Sequence, residues 1–224
     1  MGRPAPDVVG QTLGVGAAGI LLLSFFVGSV PTANLFARAT RGVDLREVGG
    51  GTVSGTSLYR VAGFLPLAAA GLLDIAKGAL GPLLAGTDRP VVAAFAGGAA
   101  VIGHNWSPFL RGAGGRGIAP ALGALLVNAW PGAVLLLIGL TVGRLVHRTG
   151  LVSLVAELLL VPLVAATNGR DGALAGAAIA VPMIVKRVLG NARPVAAPGS
   201  GLRRVYLHRF LFDHDPATGT PESS

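Results

Sequence analysis

The chain has 224 residues, 52% hydrophobic and only 12% charged, with 35 glycines, no cysteine and a formal net charge of +8. That apolar, charge-poor composition excludes an ordinary soluble domain, and the lack of cysteine excludes disulfides, thiolate catalysis and thiolate-bound metals. Nucleic acid is not the expected partner either: the basic residues sit singly at the ends of apolar runs, with no basic patch interleaved with aromatics.

Residues 8–37, 90–110 and 117–143 carry no charged side chain. Runs of that length can cross the ~30 Å of a bilayer's hydrocarbon. The first residues, with Arg3, Pro4, Pro6 and Asp7, lack the form of a cleavable signal, so the first run is expected to remain as an anchor. A first helix is predicted over 14–39, a second over 59–85 and a third over 90–103. Stretch 117–143 reads as one long span or as two short ones broken near Asn128-Ala129-Trp130-Pro131-Gly132, where Pro and Gly interrupt the pattern. Two more helices follow over 150–167 and 172–187.

Arginine placement favours the hairpin. With it, Arg38, Arg41, Arg46, Arg60, Arg111, Arg116, Arg144 and Arg148 share one side with the later Lys186, Arg187, Arg193, Arg203, Arg204 and Arg209. Only Arg3, Arg89 and Arg170 fall opposite, and Lys77 lies in the membrane. The positive-inside rule makes the crowded side cytoplasmic. The expectation is an all-α polytopic membrane bundle of about seven transmembrane helices, N-terminus out and C-terminus in. Residues 1–193 form one integral membrane domain and 194–224 a cytoplasmic tail. Within that tail, residues 202–212 mix apolar side chains with Arg203, Arg204 and Arg209. They read as a short basic helix on the inner leaflet or as a partly disordered tail. No internal repeat is visible, and no feature of the sequence specifies an oligomer.

Two glycine-rich loops lie between these runs. The first is Arg46-Glu47-Val48-Gly49-Gly50-Gly51-Thr52-Val53-Ser54-Gly55-Thr56-Ser57-Leu58-Tyr59-Arg60; the second runs from Gly103-His104-Asn105 through Arg111 to Gly114-Gly115-Arg116-Gly117. Glycine lets backbone N–H groups converge and arginine adds charge, a combination that suits phosphate. Both loops fall on the cytoplasmic face in this topology, which is what a shared active site requires. Asp74 and Lys77 lie at i, i+3 inside a span, and Glu157 inside another; buried ionisable groups face the bundle interior and have partners. Lys77 reads either as a structural partner of Asp74 or as a buried charge for a phosphate. His104 is a candidate acid/base or phosphate donor, and Asn105 a phosphate ligand or a helix cap. The other histidines show no metal-ligand spacing, and no metal or cofactor is expected.

In order and spacing, three blocks resemble the bacterial acyl-phosphate:glycerol-3-phosphate acyltransferases, the PlsY family. They are Gly28-Ser29-Val30-Pro31 with Asn34-Leu35; Gly42-Val43-Asp44-Leu45-Arg46-Glu47-Val48-Gly49 through Gly51, Thr56 and Arg60 to Asp74-Ile75-Ala76-Lys77-Gly78; and Gly103-His104-Asn105 with Pro108-Phe109-Leu110-Arg111 and Gly114-Gly115-Arg116-Gly117. The resemblance implies a seven-helix inner-membrane enzyme that moves a fatty acyl group from acyl phosphate to glycerol 3-phosphate, giving lysophosphatidic acid, with the acyl chain between helices. It implies that Gly49, Gly51 and Thr56 cradle a phosphate, that Arg60 binds glycerol phosphate, and that Arg111 and Arg116 hold the second phosphate. The expected site comprises Gly49, Gly50, Gly51, Thr52, Thr56, Ser57, Arg60, Lys77, Asn105, Arg111, Gly114, Gly115, Arg116, Gly117 and Asn191. Thr52 and His104 are the candidates for chemistry.

Several positions depart from the family pattern. Gly50-Gly51-Thr52 stands for Ser-Gly-Asn, Ser54-Gly55-Thr56-Ser57 for Gly-Ala-Thr-Asn, and Ala113-Gly114-Gly115-Arg116-Gly117 for Lys-Gly-Gly-Lys-Gly. Val188 stands three residues before Asn191, where a His belongs. These departures leave open a catalytically silent homologue that binds a phosphorylated lipid precursor or regulates the working enzyme; the intramembrane Lys77 and Glu157 leave open a transporter of a phosphorylated metabolite, which would carry inverted-repeat symmetry.

Overall fold

The computed structural model describes residues 16–48, 51–191, 194 and 201–214, so Gly49, Gly50, Arg3 and Arg193 lie outside the described residues. All regular structure among the described residues is helical. The first apolar segment is two helices, α1 (Ala17–Ser29) and α2 (Thr32–Arg41), rather than the single helix expected over 14–39. Proline 31 lacks a backbone donor and holds Val30 in an extended conformation, which ends α1. The interruption frees the Val30 carbonyl, and Lys77 Nζ donates to it at 2.6 Å.

A similar correction applies to the helix expected over 59–85. It is divided into α3 (Gly55–Ala62) and α4 (Phe64–Ala85) by Gly63, whose φ of 86° and ψ of −169° exclude most residues that carry a Cβ. Next comes α5 (Pro90–Asn105), opened by a proline where the missing N–H costs nothing. Stretch 117–143 is two helices, α6 (Ile118–Asn128) and α7 (Trp130–Leu145), parted at Ala129. Gly117 before α6 packs on Asn105, and Arg144 near the end of α7 donates to Thr56 at 3.1 Å. Both ends therefore return to one end of the bundle as a hairpin.

The 41-residue α8 (Thr149–Leu189) is itself folded back at Gly169, where φ 62° and ψ −147° separate limbs 149–168 and 170–189. Glu157 of the first limb and Arg187 of the second, both buried, form an ion pair at 3.0 Å. The last helix, α9 (Leu202–Phe212), packs on the end of this hairpin with Val205 and Arg209 buried.

Segments 17–41, 64–85 and 149–189 are long and apolar enough to cross a membrane. Leu22, Phe64, Leu65, Leu72, Leu83, Leu137, Ile138 and Leu158 remain exposed around the bundle, as lipid-facing side chains would be. Helices approach closely where a side chain is missing: Gly28 meets the Ala100 backbone, Gly78 that of Pro120 and Gly123 that of Ile75. Small residues serve this purpose in lipid, where burying apolar groups between helices yields little. The main core lies among α5, α6, α7 and α8. A second cluster, with Ala37, Leu45, Val53, Leu58 and Leu110, sits under the two glycine loops.

Candidate functional site

Where α1 breaks, a polar cluster forms inside the bundle. Asp74 Oδ1 accepts from Thr32 Oγ1 at 2.6 Å and pairs with Lys77 Nζ at 2.6 Å. All three residues are buried, so each charge is compensated locally. His104 Nδ1 lies 3.7 Å from the same oxygen, an electrostatic contact longer than a hydrogen bond. Of the two sequence readings of Lys77, the structural pairing with Asp74 describes the observed contacts. Its three near partners are Asp74, the Val30 carbonyl and, at 3.4 Å, Thr32 Oγ1.

Above that cluster the two glycine loops meet. A small cavity is lined by Ser29, Val30, Thr32, Val53, His104, Ser107, Gly114 and Gly115, so both loops contribute. Gly115 lies against the His104 ring, and a side chain there would collide with Nε2. A neighbouring crevice of about 330 Å³ runs past Pro31, Asn34, Leu35, Arg38, Arg46 and Phe109. Its two arginines share Asp44: Arg38 is hydrogen-bonded to it, and Arg46 pairs with it at 2.7 Å. The Arg46 guanidinium holds the Asp44 carboxyl well below the usual carboxylate range, with Arg38 adding to the effect. In return Asp44 raises the Arg46 pKa.

Described from Gly51 onward, the first loop turns through φ 66° at that glycine and enters α3 with Ser54 as the cap, its hydroxyl accepting from the Ser57 amide at 3.2 Å. Gly55 and Thr56 open the helix, where the first N–H groups lack intrahelical acceptors. Thr52 and Ser57 sit half-buried beside them, and Arg60 follows one turn on, exposed. The first loop thus offers a helix N-terminus with hydroxyls and an exposed arginine, a fit for an anion.

The second loop uses its polar groups internally. Gly115 N donates to the His104 carbonyl at 3.2 Å. Gly114 exchanges two hydrogen bonds with the Asn191 amide, at 3.2 and 2.9 Å. Asn105 Nδ2 reaches the Pro182 carbonyl at 3.1 Å. Asn105 thus ties the loop to the second limb of α8, and Asn191 ties it to the segment just after that helix. Arg116 points away from the cavity, donating to the Lys186 carbonyl at 3.0 Å and pairing with Asp213 at 3.0 Å. Burial pulls its guanidinium below the ordinary arginine value, and Asp213 opposes that effect. Arg111 is exposed in a left-handed turn at φ 57°.

Several residues at this end escaped the sequence reading. Thr32 completes the Asp74 pair, Arg144 reaches Thr56, and Asp44 joins two arginines. Lys186 is fully buried with its ammonium 5.3 Å from the Trp106 ring centre. Arg144 looked like one more orientation-setting arginine, and only its three-dimensional neighbour distinguishes it.

The family model for glycerol-3-phosphate acyltransferase matches residues 18–196. The chain belongs to the glycerol-3-phosphate acyltransferase family. The Synechococcus glycerol-3-phosphate acyltransferase is 35% identical over 175 residues, covering 77% of this chain and 88% of the relative. Glycerol-3-phosphate acyltransferase 1 of Dehalococcoides mccartyi is 43% identical over 111 residues, 47% of this chain and 52% of the relative. Its counterpart in Deinococcus radiodurans is 44% identical over 110 residues, 48% and 54% respectively. Against these last two, the chain spans about half the relative's length. The crystal structure of PlsY, an integral membrane glycerol 3-phosphate acyltransferase in its glycerol 3-phosphate form, superposes with a TM-score of 0.69. It is 26% identical and is matched over 76% of this chain and 88% of its own. Family members of this kind are membrane enzymes, and the matched residues contain both glycine loops and every described site candidate.

Proposed function

We propose that this membrane enzyme transfers a fatty acyl group from acyl phosphate to a hydroxyl of glycerol 3-phosphate, releasing lysophosphatidic acid and inorganic phosphate. The meeting of both glycine loops at one cavity, in a chain of this family, carries the reading. The glycerol oxygen attacks the acyl carbon, the bond from that carbon to the phosphate oxygen breaks, and the departing phosphate takes the hydroxyl proton. No dedicated protein base is needed, so the protein's work is positioning and stabilising negative charge.

In this reading the first loop and the start of α3 bind phosphate through Gly49, Gly50, Gly51, Thr52, Thr56 and Ser57, and Arg60 holds glycerol phosphate. His104 and Thr52 face the reacting groups. Lys77, Asn105, Gly114, Gly115, Gly117 and Asn191 shape the pocket from behind, and Arg111 supplies exposed charge at its rim. Arg116, turned inward, acts through the loop it anchors. The acyl chain enters from the bilayer between helices.

The enzyme crosses the plasma (inner) membrane seven times, counting the hairpins 118–145 and 149–189 as two spans each. Its N-terminus is outside and its active face cytoplasmic, with the tail helix on the inner leaflet. The arginine-rich end of the bundle supports this orientation.

Purified protein should release phosphate from acyl phosphate only when glycerol 3-phosphate is supplied. Arg60→Ala should raise KM for glycerol 3-phosphate by about tenfold, the scale of one charge-assisted contact. Binding of glycerol 3-phosphate without any turnover would instead establish a silent homologue.

A further inference from the structure

The tail helix α9 begins at Leu202, beyond residue 196 where the family match stops. It is nevertheless built into the end of the bundle that carries the glycine loops. Val205 is fully buried, Arg209 donates to the Leu189 carbonyl at 2.6 Å, and the backbone of Phe212 packs against Gly150. The helix ends in a left-handed turn at Asp213, φ 66°. That turn meets Arg116 twice: the carboxylate forms an ion pair with it at 3.0 Å, and the backbone carbonyl accepts a hydrogen bond at 3.1 Å. The other side of the guanidinium donates to the Lys186 carbonyl at 3.0 Å. A planar fork held by two carbonyl hydrogen bonds and an ion pair has little freedom to rotate.

Arg116 is the residue between Gly115, which packs on the His104 ring, and Gly117, which packs on Asn105. Fixing its side chain fixes the backbone that closes the cavity. From this juxtaposition we infer that the tail is a working part of the site, and that Asp213 is a positioning residue which acts through Arg116 to hold the loop 112–117 against His104. The inference rests on the proposed acyltransferase reaction for its kinetic consequence, though not for its structural one.

Two variants of the full membrane protein test it: Asp213→Ala, and a chain ended after residue 200. Hydrogen exchange at Gly114 and Gly115, whose amides are bonded to Asn191 and the His104 carbonyl, is the readout independent of turnover. Both variants should exchange there at least several-fold faster, while the amides within α4 and α5 stay protected. In the transfer assay both should raise KM for the phosphate substrates about tenfold with kcat within about twofold, as expected when one charge-assisted contact is lost. Asp213→Asn, which keeps the side chain's shape and removes its charge, should recover little of the loss.

A tail that only stabilises the fold would lower the amount of active protein and leave KM unchanged, which overturns the inference. So would faster transfer by the truncated chain, the mark of an inhibitory tail, or unchanged exchange at the loop. If the wild type shows no transfer, the reaction assignment fails by itself, and the exchange measurement still decides the role of Asp213.

Discussion

Gly115 shows how one missing side chain can shape a site. Its backbone lies against the His104 ring and near the Val53 carbonyl, so it marks the meeting of both loops. Gly115→Ala should push His104 from its place beside Asp74, lowering kcat/KM by about tenfold or more, on the scale of an overpacked contact. The phosphate-release assay measures it. Asp44 makes a different kind of prediction. Its carboxyl is held below the ordinary value by Arg46 first and Arg38 next, so the folded state binds its proton less tightly than the unfolded chain. The contribution to stability is complete above the unfolded carboxylate pKa of about 3.9 and fades as pH falls below it. Asp44→Asn should therefore lower the unfolding temperature at pH 7 and narrow its gap from the wild type as the buffer is brought towards pH 3. A gap that stayed constant with pH would show that Asp44 acts through its shape and not its charge.

Among the elements, the hairpin of α8 depends on a buried ion pair between its limbs. Arg187 gives two hydrogen bonds to Glu157, at 3.2 and 3.0 Å, and a third to the Gly150 carbonyl at 2.9 Å. Removing one partner strands the other in a medium of low dielectric, at a cost of roughly 3–5 kcal/mol. Glu157→Ala should thus lower thermal stability in detergent sharply, whereas Glu157→Leu with Arg187→Met should recover much of it. Helix limits were less legible than helix existence. The broken first and second helices follow from Pro31 and Gly63, both visible in the sequence, yet apolar runs on either side conceal such breaks. Pro82, Pro162 and Pro182 sit inside continuous helices, so proline alone does not announce one. The turn at Asn128-Ala129-Trp130-Pro131-Gly132 was legible because it gathers two breakers in a run where arginine counting independently required a reversal.

For the molecule as a whole, the absence of cysteine permits a clean topology experiment. Single cysteines at Arg41 and Arg111 should react with an impermeant reagent only from the cytoplasm, and those at Asp88 and Arg170 only from outside. Equal labelling of either pair from both sides would break the orientation. The sequence by itself determined the helical membrane class, the two loops and the family, because each is written locally: in charge-free length, in glycine and arginine spacing, and in ordered short blocks. Tertiary structure alone showed which carboxylates the inward-turned cations pair with. Lys77 and Arg116 look equally available for phosphate when read in one dimension. Packing gives the first to Asp74 and the second to Asp213, 97 positions away. A buried charge must find its counter-charge across the bundle, and the chain's order does not say which one comes within reach.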